Sequence, residues 1–167
     1  EPGAAAASVY DGPRPDKLQR YRLKEPIRGS VGKKRGGLEA SRACRLRIGS
    51  VNVGTLNTRS GEVVDMVARR KLDFCCIQEA RWKGEGTETL GKDGARYKFF
   101  WKGSDAGESG VGILVAEKYV EKVVSVERLS DRLIVLRVTV GGTVLNIVSA
   151  YAPQTGSSME EKEEFWV

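Results

Sequence analysis

The sequence predicts an α/β domain, and three observations lead to this fold class. Residues 46–79 have the pattern of a strand, a helix and a second strand, which is the order of a βαβ-like unit. Within them, residues 72–79 form a short apolar run of the kind found in buried strands. Residues 132–151 hold two β-rich runs around a Gly-Gly pair, which predicts a hairpin with a tight turn. We therefore expect one folded domain over residues 45–167.

The other elements follow from the same kinds of pattern. Alternation of apolar and polar residues predicts the first strand at 46–53. Valines at helical spacing predict a helix over 62–71, with Thr58 or Ser60 as its N-cap. The segments that complete the domain are a long loop at 80–96, strands at 97–101, 110–115 and 119–126, and a C-terminal helix opened by Ser157 or Ser158.

The positive charge of the chain is concentrated near its beginning. The net charge is +6 over 167 residues, and residues 1–44 hold ten Lys or Arg against five acids, which leaves about +1 for the rest. This Gly-, Pro- and Arg-rich leader has too few large apolar residues to offset its ordering entropy, so we expect it to be disordered. A polyanionic partner and simple solubility explain its charge equally well. No apolar run approaches the roughly 20 residues of a membrane span.

The cysteines and the first residues bear on the cellular context. An odd number of cysteines, with Cys75 and Cys76 adjacent on a buried strand, predicts reduced thiols in an intracellular protein. Neighbouring strand residues point to opposite faces, so these two would not hold a metal together. Residues 33–35 are all basic and could serve as a nuclear-targeting patch, although three basic residues make a weak signal. The sequence does not begin with Met, which predicts a fragment or a processed product.

Three predicted strands end on polar side chains, namely Asn52, Glu79 and Tyr151. If these strands are neighbours, their ends converge, and ligands of layered α/β proteins bind at such ends. Asparagine could hold a phosphate oxygen or orient a nucleophile, glutamate could hold Mg²⁺, and tyrosine could donate to an oxyanion. The competing interpretation of Glu79 is an ordinary solvated loop carboxylate. The convergence favours phosphoester chemistry.

Four segments, taken together and in order, resemble a known superfamily. They are residues 50–57, 75–82, 110–115 and 146–154. The chain from residue 46 to 167 resembles the N-terminal half of the endonuclease/exonuclease/phosphatase superfamily. More narrowly, it resembles the apurinic-endonuclease-like domain of LINE/RTE-type non-LTR retrotransposons. The resemblance implies half of a four-layer, DNase I-like α/β sandwich, in which two similar sheets pack face to face.

The resemblance also implies an activity and roles for single residues. Asn52 matches the active-site asparagine of the first strand, and Tyr151 matches the tyrosine that contacts the scissile phosphate. Glu79 matches the Mg²⁺-binding glutamate, with Mn²⁺ as an alternative metal. The implied reaction is Mg²⁺-dependent hydrolysis of a DNA phosphodiester that leaves a 3′-hydroxyl. DNA is then the partner, with no membrane and no small-molecule cofactor. Ala80 stands where many relatives have threonine.

Part of the superfamily's machinery has no counterpart in this sequence. The superfamily uses a Gly-Asp-Phe-Asn segment and a late Asp-His pair, and this chain contains no histidine. We expect truncation rather than divergence, and an inactive fragment. Half of the sandwich would also leave the inner face of one sheet uncovered, an apolar area larger than soluble monomers tolerate. Residues 46–167 alone should then be poorly soluble, dimeric or molten.

Two other functions stay open at this point. A domesticated, non-catalytic nucleic-acid-binding or protein-interaction module would use the basic leader, because phosphate neutralisation requires no catalytic residue. Arg81, Trp82, Lys83 and the aromatic segment up to Trp101 could add contacts, or the aromatic residues could belong to the core. The second alternative is a phosphatase of the same superfamily acting on a lipid or a nucleotide. The Tyr-Ala-Pro segment at Tyr151 argues against it.

Overall fold

Two β-sheets and three helices make up the computed structural model over the residues that it describes, 45–92 and 94–166. The elements in order are β1 (Ile48–Asn52), α1 (Ser60–Arg69), β2 (Phe74–Gln78), β3 (Glu85–Leu90), β4 (Tyr97–Lys102), β5 (Val111–Ala116), α2 (Glu117–Val120), β6 (Val123–Ser130), β7 (Leu133–Val140), β8 (Thr143–Ala150) and α3 (Met159–Trp166). The predicted leader at 1–44 lies outside these residues.

The first sheet has five strands in the order β1-β2-β5-β4-β3. Strands β1 and β2 are parallel because helix α1 carries the chain back between them, and the other neighbours are antiparallel. In this register Asn52 pairs with Gln78. The carboxyl ends of β1 and β2 therefore lie side by side, which brings Asn52 next to Glu79.

Strand β2 is buried along its whole length because both of its faces are covered. Cys75 and Ile77 pack in the cluster that includes Val67 of α1, whereas Phe74 and Cys76 pack on the opposite side of the sheet. The two cysteines thus point to opposite faces, as the strand pattern predicts. Burial, with a smaller contribution from Cys76, raises the pKa of the Cys75 thiol to about 12.

The second sheet has three antiparallel strands in the order β6-β7-β8, and it packs against the first sheet. Leu136 and Val138 of β7 share a buried cluster with Phe74, Phe100 and Ile113 of the five-stranded sheet. The order helix α1, sheet, sheet gives the layered α/β sandwich that the sequence predicts. Within the described part of the chain, α3 buries none of its side chains, so it does not form a fourth layer.

The prediction of an uncovered inner face is wrong for the described residues. The inner faces of the two sheets pack against each other, and alternation along β8 directs Leu145 and Ile147 into that interface. The same alternation leaves Val144 and Val148 exposed on the opposite face. Part of the exposed apolar surface is therefore on the outside of the three-stranded sheet. Among the described residues, no helix combines the length and apolar character that crossing a bilayer requires.

Three local predictions also need correction. The predicted loop at 80–96 contains strand β3, which is polar because it is an edge strand with mostly exposed side chains. The predicted strand at 119–126 begins instead as the short helix α2, which buries Tyr119, and only then becomes β6. The N-cap of helix α1 is Arg59 and not Thr58 or Ser60. Arg59 makes no side-chain capping bond in the described structure and pairs with Glu62. For α3 the prediction holds, since Ser158 Oγ accepts the Glu161 amide.

Candidate active site

The ends of β1, β2 and β8 bring Asn52, Glu79 and Tyr151 together. Asn52 Nδ2 donates to Glu79 Oε1 at 2.7 Å, and the Tyr151 hydroxyl donates to the same oxygen at 2.9 Å. These contacts join residues that are 27 and 72 positions apart in the chain. All three residues proposed from the sequence therefore meet at one carboxylate oxygen.

The Asn52 side chain is oriented by the turn that follows β1. Its Oδ1 accepts the backbone N–H of Gly54 at 3.0 Å. Because the amide oxygen faces the turn, the amide nitrogen faces Glu79. The turn itself is held against the neighbouring strand, since the Val53 N–H donates to the Gln78 carbonyl. Local backbone geometry thus fixes which end of the amide is presented to the site.

The segment after β2 has an unusual backbone. Glu79 and Arg81 have φ values of 56° and 55°, in the left-handed region that costs a non-glycine residue about 1 kcal/mol or more. Ala80, between them, is almost fully buried and is held on both sides. Its carbonyl accepts the Leu56 N–H, and its own N–H donates to the Gly110 carbonyl. These bonds hold the strained segment in place.

Tyr151 is held by two polar neighbours in addition to Glu79. Gln154 Nε2 donates to the Tyr151 hydroxyl oxygen at 2.8 Å. The guanidinium of Arg132 lies over the Tyr151 ring, 5.2 Å from its centroid, and also donates to the Tyr151 carbonyl. The phenol is therefore fixed with its hydroxyl on Glu79, and a cation lies on its ring face.

A buried polar network, which sequence reasoning missed, ties the two sheets together beneath the site. Gln78 Nε2 lies 3.1 Å from Ser50 Oγ and 3.2 Å from Ser149 Oγ, and Ser149 Oγ donates to the Ile77 carbonyl. Gln78 and Ser149 are both buried. Gln78 precedes Glu79, and Ser149 comes two residues before Tyr151, so the network sets the relative position of those two side chains. The polar Gln78 at the end of an apolar run was the available signal.

The charge state of Glu79 follows from its partners. Hydrogen bonds from Asn52 and then Tyr151 hold the pKa of the Glu79 carboxyl below its usual 4.5, while partial burial opposes the shift and Arg81 adds to it. The pKa of Tyr151 is raised, first by burial and then by its hydrogen bond to Glu79. At neutral pH the site therefore holds a carboxylate anion and a neutral phenol.

A divalent cation needs oxygen ligands, and the site offers the two carboxylate oxygens of Glu79. Glu79 Oε1 takes the two neutral donors, whereas Oε2 is paired with the Arg81 guanidinium at 3.3 Å. Among residues 45–92 and 94–166, no cluster of three or more His, Cys, Asp or Glu could hold a metal. Mg²⁺ is commonly bound by only one or two carboxylates, with water and substrate phosphate completing its shell. Glu79 supplies one carboxylate of such an open site, and its Oε2 could bind the cation only in place of the Arg81 guanidinium.

Comparison with known proteins gives similarities to solved structures but no match by sequence. No protein-family model matches the chain, and no curated protein matches it by sequence. Among solved structures, the endonuclease domain of TRAS1, a telomere-specific non-LTR retrotransposon, aligns with 73% of this chain at 17% identity and a TM-score of 0.47. The alignment covers 51% of that domain, so this chain spans about half of its length.

Replacing Asn52 with alanine should raise the pKa of Glu79 toward 4.5, because Asn52 is the largest cause of its depression. A carboxyl group whose pKa is lowered in the folded state stabilises the fold at pH values above its usual pKa. This contribution is lost as the pH falls through the folded-state pKa. The variant should therefore lose part of the stability that the lowered pKa of Glu79 contributes at neutral pH. NMR titration of labelled glutamate carboxyl carbons measures the shift directly.

Asn57→Ala is the matched control, since Asn57 donates to the Arg81 carbonyl and not to Glu79. An unchanged Glu79 titration in Asn52→Ala, or an equal change in Asn57→Ala, would contradict the assignment.

Proposed function

We propose that residues 45–167 form the metal- and phosphate-binding part of a Mg²⁺-dependent DNA endonuclease domain derived from a non-LTR retrotransposon. The observation that carries the proposal is the meeting of Asn52 and Tyr151 on one oxygen of Glu79. Two neutral donors and one carboxylate at the ends of strands are suited to holding a phosphodiester beside a cation. The sequence resemblance supports the same roles.

Each side chain then has a defined task. Glu79 Oε2 would bind the metal, which when present would neutralise charge on the phosphate and stabilise an attacking or leaving oxygen. Tyr151 would turn its single O–H from Glu79 and donate a hydrogen bond to a non-bridging phosphate oxygen, since its raised pKa keeps the phenol neutral. The Asn52 amide would donate to a second phosphate oxygen or orient water. Arg81 and Arg132 flank the site and would attract the polyanion.

We further propose that this chain does not cleave DNA by itself. In-line phosphodiester hydrolysis benefits from a group that takes the proton of the attacking water, usually histidine or a carboxylate. The chain has no histidine, and the lowered pKa of Glu79 makes its carboxylate a weak proton acceptor. The proposed role of this chain is therefore to bind DNA and the metal, in the nucleus.

The test measures DNA binding and DNA cleavage side by side. Fluorescence anisotropy with a labelled abasic-site duplex should show binding that is tighter with Mg²⁺ than without it. Under the same conditions, supercoiled plasmid should not be nicked above the level given by a Glu79→Gln version. Cleavage by the unchanged chain that disappears in Glu79→Gln would refute the proposed inactivity but would still support the assignment as a nuclease. Absence of DNA binding would refute the proposed function.

A non-catalytic nucleic-acid-binding module is the second candidate, and the basic residues of 1–44 favour it. Such a module would bind DNA through phosphate neutralisation. Its affinity would fall steeply with salt and would be weakened by Mg²⁺, which competes for the phosphates, and it would not change with Glu79→Gln. The same titrations therefore distinguish the two functions.

A further inference from the structure

A surface pocket of about 470 Å³ lies next to the candidate active site. It is lined mainly by side chains from the segment after β2 and from strands β3 and β4, namely Arg81, Trp82, Lys83, Glu88 and Trp101. Arg81 is shared between the two places, because its guanidinium also pairs with Glu79 Oε2. The pocket is thus a lateral continuation of the site at Glu79, and its volume is within the range of small-ligand sites, roughly 300–1,000 Å³.

The aromatic wall of the pocket is rigid. Trp82 meets Trp101 edge to face at 4.9 Å and 88°, and meets Phe99 in the same way at 5.3 Å and 84°. Trp101 stacks on Phe99 with an interplanar angle of 15°. Phe99 is fully buried, whereas both indoles are only partly buried. The two tryptophans are therefore anchored on the core but still expose part of their surface to solvent.

The backbone around the wall is closely packed. The Gly103 N–H donates to the Gly84 carbonyl at 2.6 Å, and a Cβ at Gly103 would collide with the carbonyl oxygen of Trp82. The Trp101 indole N–H reaches the Lys83 carbonyl at 3.5 Å. These contacts fix Trp82 and Lys83 relative to β4 before any ligand arrives, which reduces the entropy cost of binding.

The polar groups divide the pocket into two chemically different parts. Arg81 is 48% exposed and, with Lys83, gives one side a positive charge suited to a phosphodiester. Glu88 on β3 is exposed and supplies an acceptor that would repel phosphate but could accept from the amino groups of a base. The indoles offer a stacking surface, and stacking of a base on an aromatic side chain contributes about 1–3 kcal/mol.

We propose that this pocket binds one nucleotide of a DNA strand, adjacent to the phosphate held at Glu79. The base stacks on the Trp82–Trp101 wall, and the neighbouring phosphate lies between Arg81 and Lys83. The inference rests on the proposed function, because Arg81 links the pocket to Glu79. It adds a stacking subsite that holds the strand independently of the metal.

The test uses tryptophan fluorescence in a Trp166→Phe background, which leaves Trp82 and Trp101 as the emitters. A short single-stranded oligonucleotide should quench this emission with or without Mg²⁺.

Trp82→Leu should weaken binding roughly tenfold through loss of stacking. Lys83→Ala should lower the slope of log affinity against log salt by about one. Lys122→Ala, which removes an exposed cation in the turn between α2 and β6 and outside the pocket lining, is the matched control and should change neither quantity.

The outcomes separate this inference from the proposed function. Binding that depends on Mg²⁺ and Glu79 but leaves the fluorescence and the Trp82→Leu affinity unchanged would overturn the subsite and retain the function. Quenching and a Trp82→Leu defect, with no effect of Mg²⁺ or Glu79→Gln, would support the subsite and overturn the metal-dependent function. A free mononucleotide that binds as tightly as the oligonucleotide would overturn the assignment to a strand. Circular dichroism checks that each variant is folded.

Discussion

Replacing Glu79 with glutamine should lower the affinity of the chain for Mg²⁺ or Mn²⁺ by about 100-fold or more. Loss of residues that only support metal ligands already costs 10- to 100-fold in affinity, so loss of the proposed ligand itself should cost at least as much. Binding of Mn²⁺ measured by electron paramagnetic resonance, with and without a DNA oligonucleotide, gives the affinity directly. DNA should increase Mn²⁺ affinity in the unchanged chain, because substrate phosphate completes the metal shell.

Glutamine is the informative replacement because it preserves most of the local geometry. Its amide oxygen can still accept from Asn52 and Tyr151, so the contacts at Oε1 are retained while the negative charge is removed. Replacement removes the partly exposed ion pair with Arg81, which contributes about 0–1 kcal/mol, and the preference of the Asn52 and Tyr151 donors for a charged acceptor, so the free energy of unfolding should fall modestly. A large loss of metal affinity with little loss of stability is the expected combination.

Glu62→Gln is the matched control for this experiment. Glu62 also pairs with an arginine, Arg59, but lies on the exposed surface of α1. Its replacement should leave Mn²⁺ binding unchanged. Equal metal affinity of Glu79→Gln and the unchanged chain would contradict the metal-binding role of Glu79. An equal loss in both variants would indicate general electrostatics instead of a site.

Replacing Gly112 with alanine should destabilise the domain by about 3 kcal/mol, the upper part of the range for overpacked cores. Gly112 lies in β5, opposite Ile77 on one side and Trp101 on the other. A Cβ there would be 2.8 Å from the Phe100 carbonyl oxygen and closer still to the ring of Phe99, which is fully buried. Neither group can move without disturbing the register of β4 and β5 or the core around the Trp82–Trp101 wall.

Urea unfolding followed by circular dichroism measures this effect as a lower midpoint at an unchanged slope. Gly61→Ala is the control, since a Cβ at Gly61 meets no atom within 4 Å and the residue lies in helix α1. It should raise stability by about 0.5 kcal/mol through helix propensity. An unfolding midpoint of Gly112→Ala equal to that of the unchanged chain would mean that the core around Phe99 accommodates the added methyl group.

The parts of the fold that are encoded locally could be predicted from the sequence. The β7–β8 hairpin follows from a Gly-Gly pair between β-rich runs, and β2 follows from its unbroken apolar run, because each signal lies within the element itself. Strand β3 was missed because its residues are polar. Its structure depends on pairing with β4, where Glu88 lies opposite Phe99, and no short segment encodes that pairing.

The same distinction applies to the candidate site. Asn52, Glu79 and Tyr151 could be selected because each follows or ends a recognisable strand. Ser149 could not, because its role depends on how one sheet is placed over the other, and it reads as an ordinary small residue of a strand. The left-handed backbone at Glu79 and Arg81 has no signal in residue type either, since such positions usually select glycine or asparagine.

The network joining Gln78 to Ser149 has a consequence for the order of folding. Its two side chains are 71 positions apart, and the contact between Glu79 and Tyr151 spans 72. Contacts of such long sequence separation form late, because the intervening chain must be ordered first. The β7–β8 hairpin and the β1-α1-β2 unit can each form early, yet neither contains the complete candidate site, because Tyr151 follows β8 whereas Asn52 and Glu79 belong to the other unit. The carboxylate and the phenol come together only when the sheets dock, so partial opening between the sheets would disperse the site while both units stay folded.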